Sequence, residues 1–298
     1  MKTYFKIPAI FVLAMSMYQI SFAQPGSGGV IDAPKIVNRA WEKNESGDGH
    51  VANRKAIPYA HLRQADVMWA KRVWRQLDLR EKMNLPLYYP ENQIRDRISL
   101  TQTIWKSAIV EGTLRIYDDE DFETPLTAAD VIAKTSKVDS TSVPDPDNPE
   151  VEKIVVSKTE FESKNVLKYW LKEDWFFDRQ RSVLDVRVIG ICPIMDEYTV
   201  DPNTGEKAYK GFKNLFWIYF PDLRPILAAN EVYNRANDAE RRSFDDIFHK
   251  RFFSSFIIKE ENVYDRYISE YELGLYALIE GEKIKEDIFT IEQDLWEY

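Results

Sequence analysis

Cysteine is nearly missing: Cys192 is the only one in 298 residues. No disulfide can form within the chain, so stability must come from packing. No Cys-x-x-Cys zinc or redox motif is possible either. Histidine is almost as scarce. His50, His61 and His249 are the three, and none is spaced to share a metal with another on one helix face. There is no G-x-S-x-G nucleophile elbow and no glycine loop to cradle phosphate. Cys192 itself closes a strand pattern just before Pro193, which fits a small buried apolar side chain.

Positive charge is in deficit. Lys and Arg number 40 against 49 Asp and Glu, a formal net charge of −9. This disfavours nucleic acid, whose binding rests on cation-to-phosphate contacts, and non-specific docking to anionic membrane. It suits attraction to a more basic protein. Apolar runs long enough to span a bilayer are also lacking. The first 23 residues read as an export leader: Lys2 and Lys6, then an apolar Ile7–Ile20, then Ser21-Phe22-Ala23 at the cleavage position. Cleavage after Ala23 leaves 38 basic against 49 acidic residues and no cysteine at the new terminus to carry a lipid. The expectation is an exported chain without direct membrane insertion.

Beyond the leader, residues 24–56 read as a flexible arm, with PGSGG and NESGDG around Ile31, Ile36, Val37 and Trp41. Residues 57–298 read as a single domain with a loop at about 135–150, ending TSVPDPDNPE. A first helix is expected from Pro58 to Met83, a second over Asn92–Glu111, and a brief one over Ala128–Lys134. Strands are expected at Leu114–Tyr117, Lys153–Ser157, Leu184–Val188, Leu215–Phe220 and Phe252–Lys259, with a turn at 201–205. Pro225–Tyr233 reads as a further helix. Ser243 with Asp246, and Ser269 with Glu272, resemble helix starts, Gly281 a stop, and Ile284, Ile288, Ile291 and Leu295 a final apolar stripe. The expected fold class is α+β: a helix-rich N-terminal half, then a mixed, mostly antiparallel sheet with helices.

The most informative block is DVMWAKRVWRQLDLREKMNLPLYYP at 66–90. On a helix Trp69 and Trp74 point roughly 140° apart, giving two apolar stripes where one suffices to lie on a core. Such an element needs cover on both sides, from its own chain or from a neighbour. A basic sector of Lys71, Arg75 and Lys82, with Arg72 beside it, lies between the stripes, and Tyr88-Tyr89 marks the exit. Tyr, Trp and Arg dominate interface hot spots. The interface candidates are therefore Trp41, Trp69, Lys71, Arg72, Trp74, Arg75, Tyr88, Tyr89, Arg179 and Arg181; core strands with charged rims would carry the same residues.

Catalytic signals are weak. The run Asp118-Asp119-Glu120-Asp121 lacks the spaced ligands of a calcium loop and reads as a solvated turn. Carboxylate pairs such as Asp245–Asp246 and Glu260–Glu261 are numerous enough to be accidental. No catalytic residue, cofactor or metal is expected. The alternatives are a periplasmic carboxylate-dependent hydrolase and a soluble periplasmic ligand-binding module.

Four blocks, Asp66–Pro90, Glu173–Pro193 (EDWFFDRQRSVLDVRVIGICP), Leu215–Leu227 (LFWIYFPDLRPIL) and Arg242–Arg266 (RSFDDIFHKRFFSSFIIKEENVYDR), resemble in the same order those of the GldN/PorN family of the type IX secretion and gliding machinery. The resemblance implies a non-enzymatic structural subunit of a large periplasmic ring. Its implied partners are a GldK/PorK-type outer-membrane lipoprotein and a GldM/PorM-type periplasmic region. The implied location is the periplasm, associated with the outer membrane through a partner.

Overall fold

The block that reads as a doubly apolar helix is a strand. In the computed structural model, which describes residues 54–94, 97–145, 148–159, 161–200, 207–234, 237 and 240–294, strand β1 runs Val67–Asp78. Val73, Trp74 and Arg75 are consecutive and all buried. A strand sends successive side chains to opposite faces, so β1 is covered on both. Val73 joins Ile257, Ile284 and Ile288 on one side, and Trp74 joins Trp170, Cys192, Ile194 and Trp217 on the other. A strand buried on both faces shows no polar–apolar alternation. Its two faces then look like two stripes of a helix.

After β1 come a short helix α1 (Leu85–Tyr88) and α2 (Leu100–Trp105), which continues as a π turn over Lys106–Val110. Strands β2 (Ile116–Tyr117) and β3 (Pro125–Leu126) pair with each other and lead into α3 (Ala128–Thr135). The residues read as a loop fall largely within a hairpin of β4 (Lys137–Asp145) and β5 (Asn148–Thr159). The long strands β6 (Val166–Asp178) and β7 (Val183–Val200) follow, then β8 (Lys207–Asn214) and β9 (Ile218–Tyr219). The chain continues through α4 (Phe220–Ala229), α5 (Phe244–His249), β10 (Phe256–Glu260) and α6 (Leu275–Asp294).

The main sheet has the order β10-β1-β6-β7-β8, with β9 on β7. Every ladder in it is antiparallel, and it curls as a half-barrel. This overturns the expected α+β plan with a helix-rich N-terminal half. The fold is sheet-rich, strands come first, and the helices are few and mostly C-terminal. The helix expected over Asn92–Glu111 shrinks to α2 and its π turn. The expected Leu215–Phe220 strand shrinks to β9, because Phe220 already opens α4 with Pro221 in its first turn. The leader, Trp41, most of the 24–56 arm, the 201–205 turn and Leu295 lie outside the described residues.

Local chemistry sets the helix starts. Ser99 with Gln102, Thr127 with Asp130 and Ser243 with Asp246 each form a reciprocal capping box at α2, α3 and α5, a contribution of about 1 kcal/mol apiece. In place of the box expected at Ser269–Glu272, a single 3-10 turn runs Ile268–Glu270, where the Tyr267 amide donates to the Glu270 carboxylate at 3.3 Å. Helix α6 starts only after Gly274, whose φ of 61° suits glycine. Gly281 is no stop; it lies inside α6, where a Cβ would meet the Ile257 carbonyl oxygen at 2.7 Å.

That contact allows a test whose sign the geometry decides. Alanine gains about 1 kcal/mol of helix propensity over glycine. Overpacking against a strand backbone costs roughly 1–3 kcal/mol. Gly281→Ala is therefore expected to lower the melting temperature and Gly281→Val to lower it further; thermal unfolding followed by circular dichroism checks both.

Candidate functional site

Two charged residues stand side by side in the middle of β6. Lys172 is 3% exposed and Glu173 0%, and they point to opposite faces of the sheet. Isolated, each would carry a large desolvation cost. Lys172 Nζ donates to Asp121 Oδ1 at 2.8 Å and to the Glu120 carbonyl at 2.9 Å. It also lies 5.6 Å from the centre of the Trp74 ring. Lys259, from β10, lies 4.4 Å from the same ring and pairs with Asp265 at 2.6 Å and Glu120 at 3.4 Å. The indole's electron-rich surface thus meets two ammoniums, an arrangement worth about 0.5–2 kcal/mol per cation. The acidic run read as a solvated turn is the clamp that closes this cluster, while Asp118 bonds Lys134. Lys172, through its hydrogen bond and its charge, holds the Asp121 carboxyl below the usual carboxylate range. Burial, with Glu120 and Asp265 nearby, pushes the Tyr267 hydroxyl up to about 12.

On the other face Arg251 grips Glu173 with two nitrogens, at 3.0 and 3.1 Å. The Trp175 indole N–H donates to the same carboxylate at 3.1 Å. Arg251 in turn lies 5.2 Å from the rings of both Trp175 and Phe253.

The same internal pairing accounts for the basic sector of β1. Lys71 pairs with Glu260 at 2.6 Å. Arg72 takes Asp174 with two nitrogens, at 2.6 and 2.9 Å. Arg75 is buried and donates to the Ser255 hydroxyl and carbonyl, both at 2.9 Å. Trp74 is in the core, and Trp69 is half-buried against the Val73 cluster. Tyr88 leans on the main core while Tyr89 is exposed, their rings edge to face at 5.0 Å. Arg179 and Arg181 are exposed at the hairpin between β6 and β7, and Arg181 pairs with Asp178 and Asp185. The structure thus groups Lys71, Arg72, Trp74 and Arg75 within the sheet and sets Arg179 and Arg181 apart at its end.

Carboxylates near the cavity of about 580 Å³ beside Tyr59 are likewise bound to guanidiniums. Asp245 takes Arg224 with two contacts, at 2.9 and 3.1 Å, and Asp185 takes Arg181. Arg224 stacks 4.1 Å from the Tyr59 ring, and Arg187 donates to the Ala60 carbonyl at 2.6 Å. These contacts fasten residues 59–60 across the fold; they do not set two acids facing each other across a gap. Burial pushes the Cys192 thiol far above its ordinary range, so it stays protonated. Among the described residues no group of His, Cys, Asp and Glu is arranged to hold a metal ion.

The surface that remains open is one that the sequence reading passed over. Helix α6 turns Gly281, Ile284 and Ile288 inward onto β10 and β1. Its first turns are apolar on the outer side too: Leu275 and Tyr276 are each 68% exposed and Leu278 and Ile279 are exposed beside them, while Phe289 is exposed farther along, beyond Glu282, Lys283, Lys285 and Glu286. Leu273 at 78% and Val263 at 98% are exposed in the segment that precedes the helix. Exposed apolar residues gathered in one turn of a helix suit an interaction site. Acids rim it. Residues 261–298 hold 11 acidic and 3 basic side chains, or −8 of the chain's −9. Those three cations are engaged locally: Lys283 with Glu280, Lys285 with Glu282, and Arg266 over the rings of Tyr264 and Tyr271. The signal was there in Leu275-Tyr276-Ala277-Leu278-Ile279, five apolar residues in a row where one stripe needs two or three.

A family model described as "Gliding motility associated protein GldN" matches residues 62–297. No curated protein matches the chain.

Two outcomes test the site. Trp74→Ala removes a buried ring together with the seat of two ammoniums, and is expected to cost about 3–5 kcal/mol of stability, read by urea unfolding. Asp121 has a depressed folded value, so its pair with Lys172 contributes fully above the unfolded carboxylate value of about 3.9 and fades as pH falls through the lower folded one. Asp121 is mostly exposed, which caps the effect near 1 kcal/mol. Asp121→Asn should therefore destabilise at pH 7 and differ less from wild type at pH 3.

Proposed function

The chain belongs to the GldN family, a component of the gliding-motility and type IX secretion machinery, and from that premise we propose that it is a non-enzymatic structural subunit of a periplasmic ring. In this reading it assembles with a GldK/PorK-type outer-membrane lipoprotein, which holds it at that membrane, and contacts a GldM/PorM-type periplasmic region. The observation that carries the reading is α6, which is apolar on the side it buries and, in its first turns, on the exposed side as well. Burying an exposed leucine or tyrosine releases roughly 25 cal/mol per Å² of apolar surface, and a partner supplies that burial.

Three further features support it. The buried charges of the sheet are paired within the chain, in keeping with a structural role. Among the described residues no helix is long and apolar enough to cross a membrane, so protein contacts are what would retain the chain. The exposed candidates Tyr89, Arg179 and Arg181 remain available as contact residues in this proposal. Trp69, Lys71, Arg72, Trp74 and Arg75 would act from behind, by shaping the sheet.

Co-expression with the lipoprotein, followed by light scattering of the purified complex, tests the proposal. The expected result is a particle of many copies of both proteins. A chain that stays monomeric beside the lipoprotein and hydrolyses a glycan or peptide would reverse it.

A further inference from the structure

The second half of helix α6 leaves a groove against the sheet. The hollow holds about 290 Å³, many times the ~10–15 Å³ that one water needs. Ile288, Phe289 and Glu292 line one side, and Trp175 and Leu184, from β6 and β7, the other. Trp69, Trp175 and Leu184 pack at the edge of the Val73 cluster and are only half-buried. Water in the groove would face mostly carbon, and covering such surface is favourable. The course of the helix points to what covers it. Gly281 lies on Ile257, which stands opposite Arg75 in the sheet register. By Ile288 and Phe289 the helix has reached Trp175, which stands opposite Lys71. It therefore runs along β1 toward the start of that strand. Seven helical residues advance about 10 Å, and three strand residues advance about the same. Continued at this rate, the chain arrives level with Trp69 at Leu295. Trp69 stands opposite Phe177, and Phe177 opposite Leu184, so this is the row at which the groove stays open.

We propose that this groove is the seat of Leu295 and Trp296, the residues that follow α6 after Asp294. Their spacing fits it. Residues three and four apart share one face of a helix. Ile288, Phe289 and Glu292 are so related along the groove wall, and Leu295 and Trp296 continue the series. Ile291 and Glu292 are already half-buried in the last turn of α6. One further turn would carry Leu295 toward Leu184 and Trp69, with the Trp296 ring beside it. Attachment selects this occupant over another protein. A side chain tethered three residues from the groove wall acts at a high effective concentration, which a separate partner would have to outcompete. The contact uses neither the exposed residues at the start of α6 nor any second chain, so it stands apart from the ring reading.

A thiol on the groove wall tests this in the full chain. Leu184→Cys supplies it, and Cys192 is fully buried and does not compete. Reaction with an aromatic disulfide reagent is expected to be slow, and about tenfold faster once Leu295→Ala and Trp296→Ala are added. Thermal unfolding gives a second reading. Leu295→Ala is expected to lower the melting temperature by roughly 4–8 °C. Leu184→Ala combined with Leu295→Ala should lower it by clearly less than the sum of the two. Equal thiol rates with and without the tail side chains overturn the proposal, and so does additive loss in the double variant. Equal rates that slow only in the complex with the lipoprotein also overturn it, and would assign the groove to that partner.

Discussion

A charged residue inside a sheet must be neutralised where it sits, and β6 places two of them next to each other. Lys172 and Glu173 point through opposite faces of the central strand. Neither has its charged partner nearby in sequence. Lys172 needs the acidic turn at Glu120–Asp121, some fifty residues earlier, and Glu173 needs Arg251, 78 residues later. Leaving either buried charge unpaired is a several-kcal/mol penalty, comparable with the whole stability of a domain. The chain must therefore bring the β2–β3 turn onto one face and the segment after α5 onto the other before the sheet is viable. The aromatic residues Trp74, Trp175 and Phe253 fill the space around these pairs and stack on their cations.

This arrangement has a consequence for the surface. Lys71, Arg72, Lys172, Arg251 and Lys259 are engaged by acids of the same chain. The net charge that is left accumulates at the C-terminal segment, where acids outnumber bases and the first turns of α6 expose apolar residues. Internal neutralisation and an outward-facing, acid-rimmed helix are thus two sides of one distribution. The first keeps the sheet in one arrangement; the second offers a neighbour something to cover. In the proposed role, a subunit of a secretion and motility assembly would use both.

Much of this was legible in the residues, in an uneven way. The capping box at Ser243–Asp246 and the helix at Ala128–Thr135 follow from local chemistry, which short sequence patterns express directly. The need of the 66–90 block for cover on both sides was also legible. Its identity as a strand was not, because both faces are covered and buried Arg75 stands among apolar neighbours, as Lys172, Glu173 and Lys259 do in the strands beside it. Patterning arguments treat charge as a sign of exposure, and here charge marks the interior. The acidic turn at 118–121 misleads for the same reason: its partners lie 51 and 139 residues away, beyond any local pattern. The outer face of α6 was hidden by the opposite habit, of reading apolar residues in a helix as core.

The pairing of Glu173 with Arg251 is the most direct point at which to test whether buried charges hold the sheet. A double-mutant cycle with Glu173→Gln and Arg251→Met, read by urea unfolding, isolates their coupling. The account predicts that each single change costs about 3–5 kcal/mol and the double change much less than their sum. Additive losses, or single variants within about 0.5 kcal/mol of wild type, would contradict it.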